Sequence, residues 1–379
     1  MRLAVMGFGM AALAVWADSP APAIPLEPNL FGLPVVKVQL QQRDGTSREV
    51  CMAVDTGSEM TAFDRSLGPE FWALDRNLAG KKVEVIAAGG RVVSAEPIRI
   101  HHFQCGPVKF RDFQAVRLDL SALNQAMDVP VAGLIGMNLL RDQAFLLDFR
   151  NRVLSWGGSA EALHLQDLNY KAGKSIPLVR LSLAGQPLDA VCDTGLTGFL
   201  TISEATAKTL QKQTDAAPPS ITVTVAGTQS PQPVASTTAT VALGTKQWCS
   251  PKVEIEEENL LGLSAMWPVV WFDFRRAQVG FVVGPDGYLE VKPAVRQALH
   301  AGWDRTGVSP RLVVLGVKPG SIYERAGIRA GDVLKSFGHL EGTALSLATL
   351  REAVLGASAC SVILERKGRT MRIDLAGSL

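Results

Sequence analysis

The residues best suited to chemistry in this chain are two aspartates in matching surroundings. Asp55 lies in Ala53-Val54-Asp55-Thr56-Gly57-Ser58, and Asp193 lies in Ala190-Val191-Cys192-Asp193-Thr194-Gly195. Each carboxylate follows an apolar stretch and precedes a small hydroxyl residue and a glycine. An aspartate at the end of a buried strand is costly to ionise unless a neighbour stabilises the charge. Gly57 and Gly195 suit a tight turn and leave room for a backbone or a ligand to come close. One Asp-Thr-Gly triplet is ordinary turn chemistry; two in the same context suggest two carboxylates facing each other. Such a pair cannot ionise twice cheaply, so one member keeps its proton while the other accepts one. That gives a general acid and a general base at one site.

The elements that must position the two aspartates recur in the same order. Pro34 to Leu40 alternates as a strand, Arg43-Asp44-Gly45 turns it back, and Arg48 to Val54 delivers Asp55. Lys81 to Ile100 reads as two strands joined by Ala87-Ala88-Gly89-Gly90, a flexible hairpin tip. A strand pair surrounds Cys105-Gly106, and Leu134-Ile135-Gly136-Met137-Asn138 follows. Phe145 to Arg150 and Val153 to Trp156 then form a hairpin. In the second half Ile176 to Leu183 and Gly185 lead toward Asp193, and Ser203 caps a helix to Lys212. Ile221 to Val225 and Pro233 to Leu243 flank Ala226-Gly227-Thr228, a second hairpin tip. Cys249 takes a place comparable to Cys105, and Leu260-Leu261-Gly262-Leu263-Ser264 answers the segment at 134–138. Phe272-Asp273-Phe274-Arg275 answers Leu147-Asp148-Phe149-Arg150. This is an internal repeat over 32–157 and 174–283, with 158–173 as a linker.

The order of apolar strand, Asp-Thr-Gly, hairpin, apolar-apolar-Gly and closing strand resembles the retropepsin-like and pepsin-like aspartic proteases. The resemblance implies a mainly β protein with two acid-protease lobes in tandem about a pseudo-twofold axis. It implies that Asp55 and Asp193 are catalytic and activate a water against a peptide bond, with no cofactor and no metal. It implies that Thr56 and Thr194 hydrogen-bond across the lobe interface, and that Gly57, Ser58 and Gly195 complete the two loops. Ala88, Gly89, Gly90 and Gly227 would belong to flaps that close over an extended polypeptide substrate. After the second triplet the chain departs from the family: Ser58 fits the usual Ala, Ser or Thr, but Leu196 does not. A Ser58 hydroxyl bonded to the outer oxygen of Asp55 would stabilise its charge, leaving Asp193 the member more often protonated. The rival reading is a peptide-binding or scaffolding protein with the same lobes and no cleavage.

From Gly284 the texture changes. Val317-Lys318-Pro319-Gly320-Ser321, Ala326-Gly327-Ile328 and Ala330-Gly331-Asp332-Val333-Leu334 resemble the core of bacterial PDZ domains. Such α+β modules bind a peptide C-terminus by strand addition. His300-Ala301-Gly302-Trp303 is the candidate carboxylate loop, so Ala301, Gly302 and Trp303 are the candidate peptide-binding residues within 284–379. The alternative is a PDZ fold that packs on the protease and binds nothing.

Composition bounds the rest. The chain has 379 residues, enough for two or three domains, and its net charge of +2 gives no reason to expect nucleic acid as a partner. The 35 glycines and 21 prolines, against 6% aromatic residues, favour strands and turns over a helical bundle. Arg2 followed by the apolar run Leu3 to Trp16 reads as a signal peptide, 1–17, cut after Ala17 or Ala23, with 18–31 a Pro-rich leader. The run falls short of the ~20 residues that span a bilayer. The mature chain is therefore expected to lack a stable membrane span and to be exported to the periplasm or outside the cell; an uncleaved anchor is the rival. The five cysteines form no CxxC pair, and buried thiols and a disulfide remain equal alternatives. The histidines show no metal-ligand spacing, no G-x-S-x-G elbow occurs, and the glutamates between Glu254 and Glu258 read as a solvated edge.

Overall fold

The strand that carries Asp55 is held in the middle of a sheet. In the computed structural model Ser47–Val54 runs antiparallel to Val35–Gln41 and parallel to Gly133–Ile135, with Val54 opposite Ile135. Its burial changes along its length, from exposed Ser47–Glu49 to buried Cys51–Val54, as expected of a strand sandwiched between neighbours at one end. Ala62–Asp64 pairs with both Gly133–Ile135 and Val108–Leu118 and closes the Asp55 loop from the other side. Between Ala62–Asp64 and Gly133–Ile135 run the long hairpin Val92–Cys105 with Val108–Leu118 and helix α1 (Ser121–Gln125); helix α2 (Met137–Leu140) follows Gly133–Ile135.

The structure describes residues 23–375, apart from positions 30–31, 43, 75–82, 87–91, 211–214, 217–222, 225–226, 229–234, 250, 293–297 and 357–358. The expected signal peptide and the flap residues Ala88, Gly89 and Gly90 lie outside the described residues. The strands that flank the latter are where the sequence puts them: Val83–Ile86 pairs with Val92–Cys105, Ile86 opposite Val92.

A second β unit repeats the plan. Gln186–Cys192 is antiparallel to Pro177–Leu183 and parallel to Leu260–Leu261, with Cys192 opposite Leu261. Leu200–Ser203 pairs with Leu260–Leu261 and with Lys252–Glu256, and leads into α3 (Glu204–Thr209), capped by Ser203. Gly227 is a strand residue opposite Thr224 and not the tip of its hairpin. The counterpart of Cys105-Gly106 is Leu243-Gly244 and not Cys249. Leu243 faces Lys246 as Cys105 faces Val108, and the glycine of each tight turn has a positive φ, 57° and 58°. Turn geometry, which needs glycine there, sets the correspondence. Cys249 lies beyond the hairpin, exposed. All five cysteines are free thiols; Cys51, Cys105 and Cys192 are buried.

The two units are joined by one sheet. It begins in the order Ile24–Pro25, Val153–Trp156, Ala144–Asp148, Val269–Asp273, Gln278–Phe281, His164–Tyr170 and continues into Pro177–Leu183 and Gln186–Cys192. The two repeated Asp-Phe-Arg strands pair with each other, Phe145 opposite Phe272 and Leu147 opposite Val270. Phe145, Trp156, Phe272 and Phe274 meet with centroids 5.2–5.9 Å apart, and one apolar core runs through both units. Three expected boundaries move as a result. His164–Tyr170 is a strand inside the segment read as a linker: its first half pairs with Gln278–Phe281 and its second half with Pro177–Leu183, while only Leu168 of its side chains is buried, which leaves little apolar alternation to read. Ile24 and Leu26, read as leader, are buried in the core. Leu289, beyond the expected end of the second unit, is buried beside Trp248 and Val283.

The C-terminal unit has its own core and a sheet ordered Leu299–Asp304, Arg311–Val317, Val333–Phe337, Cys360–Arg366, Arg369–Leu375. Helices α4 (Ile322–Arg325) and α5 (Leu347–Leu355) complete it. Asp332, 1% exposed, is held by the Arg366 guanidinium at 2.6 and 2.7 Å. Ala301, Gly302 and Trp303 do not form a loop. They lie in the edge strand Leu299–Asp304, whose alternate residues Leu299 and Ala301 are buried. The glycine there serves a close approach, since a Cβ on Gly302 would stand 2.9 Å from the carbonyl oxygen of Gln125.

Candidate active site

Asp55 and Asp193 arrive at one point because each leaves the centre of its sheet beside a glycine-ended strand. The Asp55 N–H donates to the Ile135 carbonyl at 3.0 Å and the Asp193 N–H to the Leu261 carbonyl at 2.9 Å. Gly136 and Gly262 follow those acceptors. A Cβ on Gly136 would stand 2.5 Å from the Met60 carbonyl carbon, and one on Gly262 would stand 2.5 Å from the Gly198 carbonyl oxygen. Apolar-apolar-Gly is thus a steric requirement of the loop packed against it.

The two loops are tied together by their threonines. The Thr56 N–H donates to Thr194 Oγ1 and the Thr194 N–H to Thr56 Oγ1, both at 3.0 Å. The Thr56 hydroxyl donates to the Cys192 carbonyl at 2.6 Å, and the Thr194 hydroxyl donates to the Val54 carbonyl at 2.7 Å. Both threonines are fully buried. Each hydroxyl accepts one bond and donates one, so the grip leaves neither hydroxyl unpaired inside the protein.

Above this grip the two carboxyl groups come together, each lying against the glycine of the opposite loop. Asp55 Oδ1 accepts the Gly57 and Ser58 N–H groups at 3.0 and 3.1 Å. Asp193 Oδ1 accepts the Gly195 N–H at 2.7 Å, and the Leu196 N–H donates to the Asp193 main-chain carbonyl at 3.4 Å. The glycines are required because the opposite carboxyl lies against them. A Cβ on Gly57 would stand 2.5 Å from Asp193 Oδ1, and one on Gly195 would stand 3.0 Å from Asp55 Oδ1.

Burial is the main force on both acids, since enclosure disfavours the charged form. It pushes Asp55 well above the ordinary carboxyl range, and the neighbouring Asp193 charge pushes it further. Burial also raises Asp193, with the Gly195 N–H, the Asp55 carboxyl and the Leu196 N–H partly offsetting it. The two titrate as a pair. The order inferred from Ser58 loses its cause: its hydroxyl donates to the Met60 carbonyl at 2.8 Å and makes no bond to Asp55. What Ser58 and Leu196 both contribute is a backbone N–H, which any side chain leaves in place.

Two supporting residues carry no sequence signal of their own. Asn138 Oδ1 accepts from the Thr61 N–H and hydroxyl at 2.7 and 2.8 Å, and Thr61 Oγ1 accepts the Gly136 N–H at 3.1 Å. They lock the Asp55 loop to the glycine beside it; only the spacing of Asn138 after Gly136 marks the pair. Of the hairpins expected to cover the site, the described part of the second, Val223–Thr224 with Gly227–Thr228, lies against α1 of the first unit.

An arrangement of two half-buried carboxyls set this close can hold one proton between them and both donate and accept one. Residues 36–139 match the family described as aspartyl protease. The matched stretch contains Asp55, its loop and Gly136, and a protease hydrolase acting on polypeptide is the coarse activity that this likeness supports. No curated protein matches the chain.

Proposed function

We propose that this chain is an aspartic endopeptidase whose two β units are tandem lobes, each giving one aspartate to a single dyad. The observation that carries it is the reciprocal threonine grip beneath two carboxyl groups that each lie against the glycine of the opposite loop. A water between the carboxyls would lose a proton to the ionised aspartate as its oxygen attacks the peptide carbonyl carbon. The neutral aspartate would give its proton to the carbonyl oxygen, and the resulting tetrahedral diol is uncharged. A carboxyl then protonates the amide nitrogen, the C–N bond breaks, and one of the diol's two hydroxyl protons returns to the dyad, leaving a carboxylic acid and an amine. Asp55 and Asp193 are catalytic in this scheme; Thr56, Gly57, Ser58, Thr194 and Gly195 position them. The hairpins at 83–92 and 223–228 would cover an extended substrate and exclude water.

The C-terminal unit acts here as a PDZ domain, with Ala301, Gly302 and Trp303 on the edge strand to which a peptide would add. The apolar run at the start of the chain supports export, and no cofactor is required. The test is digestion of a peptide library between acid and neutral pH by the full-length protein and by Asp55→Asn and Asp193→Asn. Cleavage by the wild type that both variants lose is expected. Cleavage retained by either variant, or none by the wild type, leaves the chain a peptide-binding protein.

A further inference from the structure

The C-terminal unit is bound to the first β unit through a carboxylate. Asp128 Oδ1 accepts the Leu347 N–H at 2.9 Å and the Trp303 indole N–H at 2.9 Å, and Asp128 Oδ2 accepts the Ala348 N–H at 3.1 Å. Ser346 takes the next donor, the Thr349 N–H, at 3.1 Å. The open N–H groups of the first turn of α5 are thus satisfied partly by its own cap and partly by a residue 219 positions away. The Arg305 guanidinium donates to three carbonyls of the same segment, those of Asn124, Met127 (2.7 Å) and Asp128 (3.0 Å). The Gln125 carbonyl lies against Gly302. Residues 124–128 therefore sit on the edge strand Leu299–Asp304 and the start of α5, elements that lie beside each other.

The same segment has a second face. Helix α1 touches the edge strand and also the strand pair Val223–Thr224 and Gly227–Thr228 of the second unit. The loop after it is stiffened by Asn124, whose side chain both accepts the Val131 N–H at 2.8 Å and donates to the Val131 carbonyl at 3.1 Å. Whatever moves residues 124–128 also moves the support of that strand pair.

We propose that Asn124–Asp128 is an autoinhibitory plug: it occupies the edge strand and the start of α5 in cis and holds down the strand pair Val223–Thr224 and Gly227–Thr228, and a peptide carboxylate displaces it. The inference rests on the protease reading for its consequence but not for the contact. The bonds that hold the plug are polar, and an incoming peptide with a carboxylate and adjacent carbonyls offers the same partners to α5, Trp303 and Arg305. Polar interfaces between units are the ones that open. The carboxylate is either an acidic side chain, as in the plug, or a chain terminus.

The experiment uses the full-length chain, Asp128→Ala, and Arg305→Ala, which keeps the cap on α5. The probe is a fluorescent peptide copying residues 121–129 with both ends blocked. Companion peptides carry Asn for the aspartate, with the C-terminus either blocked or free. Because a tethered competitor acts at millimolar effective concentration, Asp128→Ala should bind the blocked acidic peptide about tenfold more tightly than wild type, or more. Arg305→Ala in that background should lose the gain. Hydrogen exchange at 121–125, 223–224 and 227–228 should rise in Asp128→Ala, in Arg305→Ala and in peptide-saturated wild type, and library cleavage should rise with it. Preference for the blocked acidic peptide assigns an internal side chain as the ligand; preference for the free-ended Asn peptide assigns a terminus. Equal binding by wild type and Asp128→Ala, binding of all three peptides alike, binding to neither protein, or unchanged exchange overturns the plug. If binding and exchange respond and no form cleaves, the plug stands and the protease reading fails.

Discussion

Thr194→Val is the sharpest perturbation of the grip, because it changes one buried atom and almost no volume. The Thr194 hydroxyl accepts the Thr56 N–H at 3.0 Å and donates to the Val54 carbonyl at 2.7 Å. Valine leaves both groups without that partner in a site closed to water. Each orphaned buried group costs about 1–3 kcal/mol, so the variant should lose about 2–6 kcal/mol. That is a large share of the ~5–15 kcal/mol that holds an ordinary domain together. Thr56→Val orphans the Thr194 N–H and the Cys192 carbonyl by the same count, so the two variants should be similarly damaged. Thr194→Ser keeps the hydroxyl and should recover most of the loss. Activity falls by a different route: the carboxyls ride on the tied loops, and a displacement near 1 Å costs about a hundredfold. Urea unfolding gives the stabilities and kcat/KM on a cleavable peptide gives the activities. A valine variant within 0.5 kcal/mol of wild type (about the scatter of ordinary surface substitutions), or a serine variant as damaged as valine, would refute the reasoning.

Two further outcomes follow from the carboxyls. Asp55 is pushed above the ordinary range, so the folded chain keeps a proton that the unfolded chain gives up; wild type therefore loses stability as pH rises from the ordinary carboxyl range toward the raised value. Asp55→Asn lacks that loss. Its melting temperature should match wild type in strong acid and exceed it at neutral pH, while cleavage is abolished. Each tenfold gain in proton affinity on folding is worth about 1.4 kcal/mol of that difference; parallel melting curves across pH would speak against a raised Asp55. Gly57→Ala puts a Cβ 2.5 Å from the Asp193 carboxyl. It should cost about 1–3 kcal/mol and at least a hundredfold in kcat/KM, and a fully active alanine variant would mean the carboxyls stand further apart than this.

The site was legible in the sequence because its parts are backbone requirements. Asp-Thr-Gly and apolar-apolar-Gly mark places where a side chain would strike a carbonyl or a carboxyl, and such places leave glycines at fixed offsets. The grip of Thr56 and Thr194 followed from resemblance, and the geometry agrees with it. The error over Ser58 arose because a hydroxyl has several acceptors within reach, and residue type does not say which one it takes. The strand His164–Tyr170 is hard to read because only Leu168 of its side chains is buried, although the strand joins Gln278–Phe281 to Pro177–Leu183. Asp128, Trp303 and Arg305 give no signal of their contact: each is an ordinary polar or aromatic residue, and only the docking of the C-terminal unit on α1 brings them together. Cys249 matches Cys105 by identity alone, whereas the turn glycines carry the correspondence.

The dyad itself is tested most directly by carbon-13 NMR titration of the Asp55 and Asp193 carboxyl groups in the full-length protein. A shared proton predicts two linked transitions, each seen at both carbons, with one well above the ordinary carboxyl range; Asp193→Asn should collapse them to a single transition. Two independent titrations near the ordinary value of ~3.9, unaffected by removal of the partner, would contradict it.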